Sequence, residues 1–326
     1  MHHARSRAAR AVILAALAAS AVLAAGGARA AANISFTAPE SYPEGVAVHA
    51  AKKELLVSSM HMGAIGRVAM DGKYQPFIED ERLISSVGMT VDAKRNLLWV
   101  AIADPGLSVR SKPETKRKLA AAAAFDLATG KRVAYHDLGV LAQGEHFAND
   151  LTLDEQGNVY VTDSFSPVIY KIDAAGKASV FAQSKLFEGE GFNLNGIVHH
   201  PAGFLLVGKH NSGELLVVDE KDPTKIAKVK LPENFPGADG LVLLAPDRLL
   251  IVQNKGPAGG ADRTVELRTK DNWASAELAG SFKSVQPFPT TAARAGNTVY
   301  VLNAKLGELF DPKGPRSKDY LLQALD

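Results

Sequence analysis

Six stretches of the chain repeat one line: Glu44-Gly-Val-Ala-Val-His, Val87-Gly-Met-Thr-Val-Asp, Asn149-Asp-Leu-Thr-Leu-Asp, Asn195-Gly-Ile-Val-His-His, Asp239-Gly-Leu-Val-Leu-Leu and Thr290-Thr-Ala-Ala-Arg-Ala. With the second residue of each as marker, the steps from Gly45 through Gly88, Asp150, Gly196 and Gly240 to Thr291 are 43, 62, 46, 44 and 51 residues. A period of about 40–50 residues filled with short strands marks a β-propeller blade. Inside the third repeat, Leu151 and Leu153 alternate with polar neighbours, Glu155 to Asn158 turns, and Val159 to Thr162 runs back. Val168 to Ile172 and Ala178 to Ala182 follow, so four antiparallel strands make one blade. The expected fold is all-β, a six-bladed β-propeller over residues 31–326. The sixth repeat runs short of strands after Asn297 to Leu302 and the tail containing Tyr320 to Ala324. Asn33 to Thr37 can supply the missing outer strand, closing the ring and covering its sheet edges.

Residues 1–30 read as a secretory signal peptide: Arg5, Arg7 and Arg10 precede the small and apolar run Ala11 to Ala25, and Ala28-Arg29-Ala30 offers a small-x-small cleavage site. The expected location is therefore the periplasm or the outside of the cell. No later apolar run is long enough for a stable membrane span. Four of the 37 Lys and Arg lie in the leader, leaving 33 against 35 acidic residues, a balance of −2. Neither nucleic acid nor an anionic membrane is indicated as a partner. The chain has no cysteine, so thiol chemistry and disulfide bracing are excluded.

The first column of the repeats carries the chemistry. Glu44, Asn149, Asn195 and Asp239 place oxygen-bearing side chains at matched points of four repeats, while Val87 and Thr290 interrupt the column. In a closed ring those side chains meet at the axis. Two carboxylates and two carboxamides make a hard oxygen site suited to Ca²⁺ or a similar divalent metal ion, whereas zinc or copper would recruit His or Cys. The competing reading is ordinary turn formation by Asn and Asp beside Gly.

Pro43-Glu44-Gly45, the third-repeat motif Asn149-Asp-x-x-x-Asp154-x-x-Gly157-Asn-x-Tyr-x-Thr-Asp163, Asn195-Gly-Ile and Asp239-Gly-Leu resemble the gluconolactonase and regucalcin group of six-bladed propellers, related to paraoxonase and diisopropyl fluorophosphatase. The resemblance implies that Glu44, Asn149, Asn195 and Asp239 ligate a catalytic divalent ion, most often calcium, and that the activity is hydrolysis of lactones or related esters. Sugar lactonases of that group carry an Arg two residues before the third-blade Asn. Phe147 stands there in this chain.

A hydrolytic mechanism would use the ion as Lewis acid, Asp239 as proton acceptor or nucleophile, and Asn149 as donor to a developing oxyanion. His61 and His210, each after a second strand, and His146, just before Asn149, are the candidate bases. His199 and His200 fall toward the other end of a blade. The loop Ala103 to Lys118, with Arg110, Lys112, Lys116, Arg117 and Lys118, is either a solvated surface or an attractor for an anionic small-molecule substrate. Gly256 to Gly260 lacks the Gly-Lys-Ser/Thr ending of a phosphate loop and reads as a connector. The alternative function is a non-catalytic propeller with a structural calcium ion that binds a small molecule or protein.

Overall fold

The computed structural model describes residues 31–257, 259–311 and 313–325; the proposed signal peptide lies outside them. Six four-stranded sheets are present, each antiparallel throughout. From the axis outward the first blade is Val46–His49, Glu54–Ser58, Ile65–Ala69 and Tyr74–Ile78. The second is Ser85–Asp92, Leu97–Ala103, Ala120–Asp126 and Arg132–Asp137; its long repeat is explained by the loop between Ala103 and Ala120. The third is Ala148–Leu153, Val159–Asp163, Val168–Ile172 and Ala178–Gln183, and the fourth is Leu194–His200, Phe204–Lys209, Leu215–Asp219 and Ile226–Lys228. The fifth is Ala238–Ala245, Arg248–Gln253, Arg263–Arg268 and Glu277–Lys283.

The sixth blade closes the ring as the sequence predicts. Pro289–Ala295, Thr298–Asn303 and Asp319–Leu325 are completed on the outside by Ile34–Thr37, in the register Ile34 to Leu322 and Thr37 to Asp319. Among the described residues no helix is long and apolar enough to cross a membrane.

Second and third strands of the blades have neighbours on both faces, so they read as apolar runs rather than alternating ones. Leu97–Ala103 and Ala120–Asp126 show the consequence: every residue but Leu97 and Asp126 is buried, and the five consecutive alanines of the latter let the adjacent blades approach closely.

The first strands carry the feature that builds the site. In five blades the register jumps where the column residue and its successor oppose a single partner residue: Val87-Gly88, Asn149-Asp150, Asn195-Gly196, Asp239-Gly240 and Thr290-Thr291. These are β-bulges, which bend the strand and re-aim a side chain. The residue after the column faces the next blade, which explains its glycines. A Cβ on Gly196 would stand 2.2 Å from the Asp239 carbonyl oxygen, and one on Gly88 2.4 Å from an Asp150 carboxylate oxygen.

Candidate functional site

The bulges at Asn149, Asn195 and Asp239, with Glu44 just before a first strand that has none, bring all four column residues to one cavity of about 480 Å³ at the axis. Glu44, Asn149, Asn195 and Asp239 are each no more than 6% exposed. One oxygen of each (Glu44 Oε2, Asn149 Oδ1, Asn195 Oδ1 and Asp239 Oδ1) is buried without any hydrogen-bond partner. Buried polar atoms are nearly always satisfied, so four orphans in one cavity call for a ligand. All four are oxygens, and two belong to carboxylates, which fits a hard divalent cation such as Ca²⁺ with water completing its shell. Among the described residues no three His, Cys, Asp or Glu side chains gather as for a metal ion, so this set depends on its two amides.

Asn149 and Asp239 are held from behind through their other side-chain atom, and Glu44 through its backbone. Asn149 Nδ2 donates to Ser164 Oγ at 2.9 Å, and Asn254 Nδ2 donates to Asp239 Oδ2 at 2.6 Å. Ser58 Oγ accepts from the Gly45 amide at 2.7 Å, fixing the backbone beside Glu44. Thr290, one of the two column breaks, donates its hydroxyl to the Glu44 carbonyl at 2.7 Å and so ties the sixth blade to the first. Ser164, His210 and Asn254 each directly follow the second strand of their blade. Of this second column the sequence marks His210 alone, as a candidate base after a second strand.

Burial and mutual proximity oppose charge on the carboxyls around the axis. Burial first, then the charges of Asp239 and Asp150, hold the Glu44 carboxyl well above the usual range. Asp239 is also raised well above it, by burial and then by Asp150, against opposing hydrogen bonds from Asn195 and Asn254. Asp150, in a position held by glycine in four blades and by Thr291 in the sixth, is pushed up to about 7 by burial. It opens on a second cavity, of about 460 Å³, lined by the far ends of the first strands, where His199 also lies.

Of the three candidate histidines only His210 lines the cavity with the quartet. Its Nε2 is 3.2 Å from Asn254 Oδ1. Because Asn254 uses its amide hydrogens toward Asp239, its Oδ1 must accept, so Nε2 carries the proton and Nδ1 is left to take one. Burial lowers the His210 pKa, against the Asn254 hydrogen bond, which favours that neutral form. His61 does not line the cavity; its Nδ1 is 2.6 Å from the Leu107 carbonyl.

His146 is also turned away. Its Nδ1 is 2.8 Å from Asp163 Oδ2, and Tyr170 donates to the same oxygen at 3.1 Å. Asp163 Oδ1 accepts from the amides of Phe147, Phe165 and Ser166, so this pair braces the turn that presents Phe147. The Asp163 hydrogen bond raises the His146 pKa. A raised folded-state value contributes stability that is complete below the ordinary histidine pKa and is lost as pH rises through the raised one. Urea unfolding should therefore show His146→Gln less stable than wild type by about 1–3 kcal/mol in mild acid, with the gap shrinking toward alkaline pH. A gap independent of pH would refute the charged pair.

The remaining cavity wall is apolar. Met60, Phe147, Phe192, Pro257, Phe288, Leu306 and Phe310 line it, and Lys255 is its one cation. Phe147, Phe165 and Phe192 form a triangle with ring centroids 5.0–5.5 Å apart. Met60, Phe192, His210 and Gly256-Pro257 come from loops between strands, and Gly256-Pro257 forms wall rather than a mere connector. The short helix Leu306–Phe310 was not anticipated. No residue of the basic loop Ala103 to Lys118 lines the cavity. Arg110 instead donates to the Asp80 and Leu83 carbonyls, and Arg117 pairs with Glu145.

No family model matches the chain, and no curated protein matches it. Solved structures resemble it at low identity. The major allergen Mala s 1 of Malassezia sympodialis is 17% identical, with 90% of this chain and 96% of that one covered and a TM-score of 0.71. A luciferin-regenerating enzyme is 13% identical over 90% of this chain and 96% of that one, with a TM-score of 0.59. A protein assigned as a gluconolactonase is 15% identical over 91% of this chain and 93% of that one, with a TM-score of 0.57. These likenesses establish the propeller fold, whose neighbours include enzymes.

Proposed function

We propose that this chain is an exported, divalent-cation-dependent hydrolase of lactones or related esters, a distant relative of the gluconolactonase and regucalcin group. The observation that carries the reading is the set of four unpartnered, buried oxygens from four blades, facing the same cavity as an apolar wall. Glu44, Asn149, Asn195 and Asp239 would hold the ion. When bound, calcium supplies positive charge that polarises a carbonyl oxygen.

The chain's own residues supply the rest. Asn254 holds Asp239 Oδ2 and leaves Oδ1 toward the cavity. His210, neutral and with Nδ1 unprotonated, is the group best placed to accept a proton from an attacking water. The water oxygen bonds to the carbonyl carbon, the acyl C–O bond breaks, and the proton passes to the leaving alkoxide. Asn149 has one amide hydrogen engaged by Ser164 and its Oδ1 free, which suits a cation ligand better than an oxyanion donor. The leader pattern of residues 1–30 supports action in the periplasm or outside the cell.

The test is metal content by mass spectrometry, followed by a lactone and aryl-ester panel with and without calcium. One calcium per chain and turnover abolished by a chelator are expected. Calcium that raises the unfolding temperature without turnover of any ester would favour a ligand-binding propeller, and no retained cation would remove both readings.

A further inference from the structure

We infer that the substrate carries an alkyl or aryl chain beside its carbonyl, and that Phe147, Phe192, Phe288 and Phe310 select for it. This rests on the hydrolase reading of the oxygen quartet. The cavity has two chemically distinct parts. The quartet and His210 supply every polar side chain in it except Lys255, which is exposed. A polyhydroxylated lactone would set its hydroxyl groups against phenyl rings, where each buried hydroxyl without a partner is costly. An apolar chain gains from the same wall. The volume of about 480 Å³ lies within the range of sites that enclose a small ligand.

Two details show a wall built for this purpose. Phe147 is held by the brace behind it: Asp163 accepts its amide hydrogen at 2.9 Å, and its ring packs at 5.2 Å, edge-on, against Phe192. Phe288 adopts φ +59°, a left-handed conformation that strains the backbone of a bulky residue. It is kept there because Asp262 Oδ1 accepts its amide hydrogen at 3.2 Å and Ala304 donates to its carbonyl at 2.9 Å. In that conformation its ring lines the cavity and tilts against Phe310, 6.1 Å away. Phe310, 45% exposed on the short helix, forms the lip over which a chain would pass.

The experiment uses the calcium-loaded protein and a series of γ-lactones with alkyl tails of increasing length, with glucono-δ-lactone as the polar comparison. We expect kcat/KM to rise about three- to fourfold per methylene until the tail passes Phe310. Phe310→Ser should lower kcat/KM for the longest tail roughly tenfold more than for the shortest. Calorimetric binding of the matching γ-lactams, which resist hydrolysis, reads the wall independently of turnover. Glucono-δ-lactone turned over as well as the longest-tailed lactone, or a length dependence unmoved by Phe310→Ser, overturns the inference and leaves the hydrolase standing. Lactams that bind more tightly with tail length while no lactone is hydrolysed overturn the hydrolase alone. Neither binding nor turnover overturns both.

Discussion

In calcium-free buffer the Asp239→Asn protein should unfold at a higher temperature than wild type, and in excess calcium the order should reverse. Without a cation, Asp239 is a buried carboxyl beside Glu44 and Asp150, raised well above its usual pKa by burial and by Asp150. Keeping it charged or taking up a proton both oppose folding near neutral pH. Asparagine has nearly the same shape and no charge, so the cation-free variant should gain about 1–2 kcal/mol. Calcium at about a hundred times its Kd stabilises the wild type by about 2.7 kcal/mol. If losing one of two carboxylates weakens binding about a hundredfold, that gain falls to about 0.4 kcal/mol in the variant. Differential scanning fluorimetry with and without calcium measures all four states. A variant less stable in both buffers, or calcium shifts of equal size in both proteins, would show that Asp239 is a structural carboxylate and not a ligand.

The ring and the quartet were legible for one physical reason. The column residue turns to the axis and its successor must be small enough to pass the next blade, so a polar residue and a glycine recur together at blade spacing as Asn-Gly, Asp-Gly or Glu-Gly. Asp150 was harder to see because it fills the glycine position. Its bulk is accommodated by Gly88 of the neighbouring blade, and that exchange between blades leaves no trace in a single repeat. Ser164, His210 and Asn254 share a position after the second strand, but they differ in kind and show their role only through hydrogen bonds. The aromatic wall had no such reference. Phe147 precedes a first strand, Phe192 and Phe288 sit in loops between blades, and Phe310 lies on the one α-helix among the described residues, in the sixth blade. Of these, Phe147 alone was marked in the sequence, by standing where related sugar lactonases carry an arginine.

Phe36→Ala should be among the most destabilising single substitutions outside the cavity, because it acts where the ring is closed. Ile34–Thr37 is the outer strand of a blade whose other three strands come from the far end of the described chain. Phe36 is 2% exposed and packs its ring 5.7 Å from Tyr320 and 6.3 Å from Tyr74, so it joins the sixth blade to the first. Tyr320 continues the seam: its hydroxyl accepts from the Tyr42 amide at 3.0 Å, just before Glu44. Truncating a buried phenylalanine costs about 3–5 kcal/mol, which lowers Tm by roughly 6–15 °C in a domain of this size. Val133→Ala, on the outer strand of the second blade and 58% exposed, is the control, with an expected change within about 0.5 kcal/mol. Loosening the seam also loosens the link from Thr290 to the Glu44 carbonyl, so the Phe36 variant should bind calcium more weakly although it lies outside the cavity. A Phe36→Ala protein with unchanged Tm would mean that the ring holds without this strand; a lowered Tm with unchanged calcium affinity would uncouple closure from the quartet.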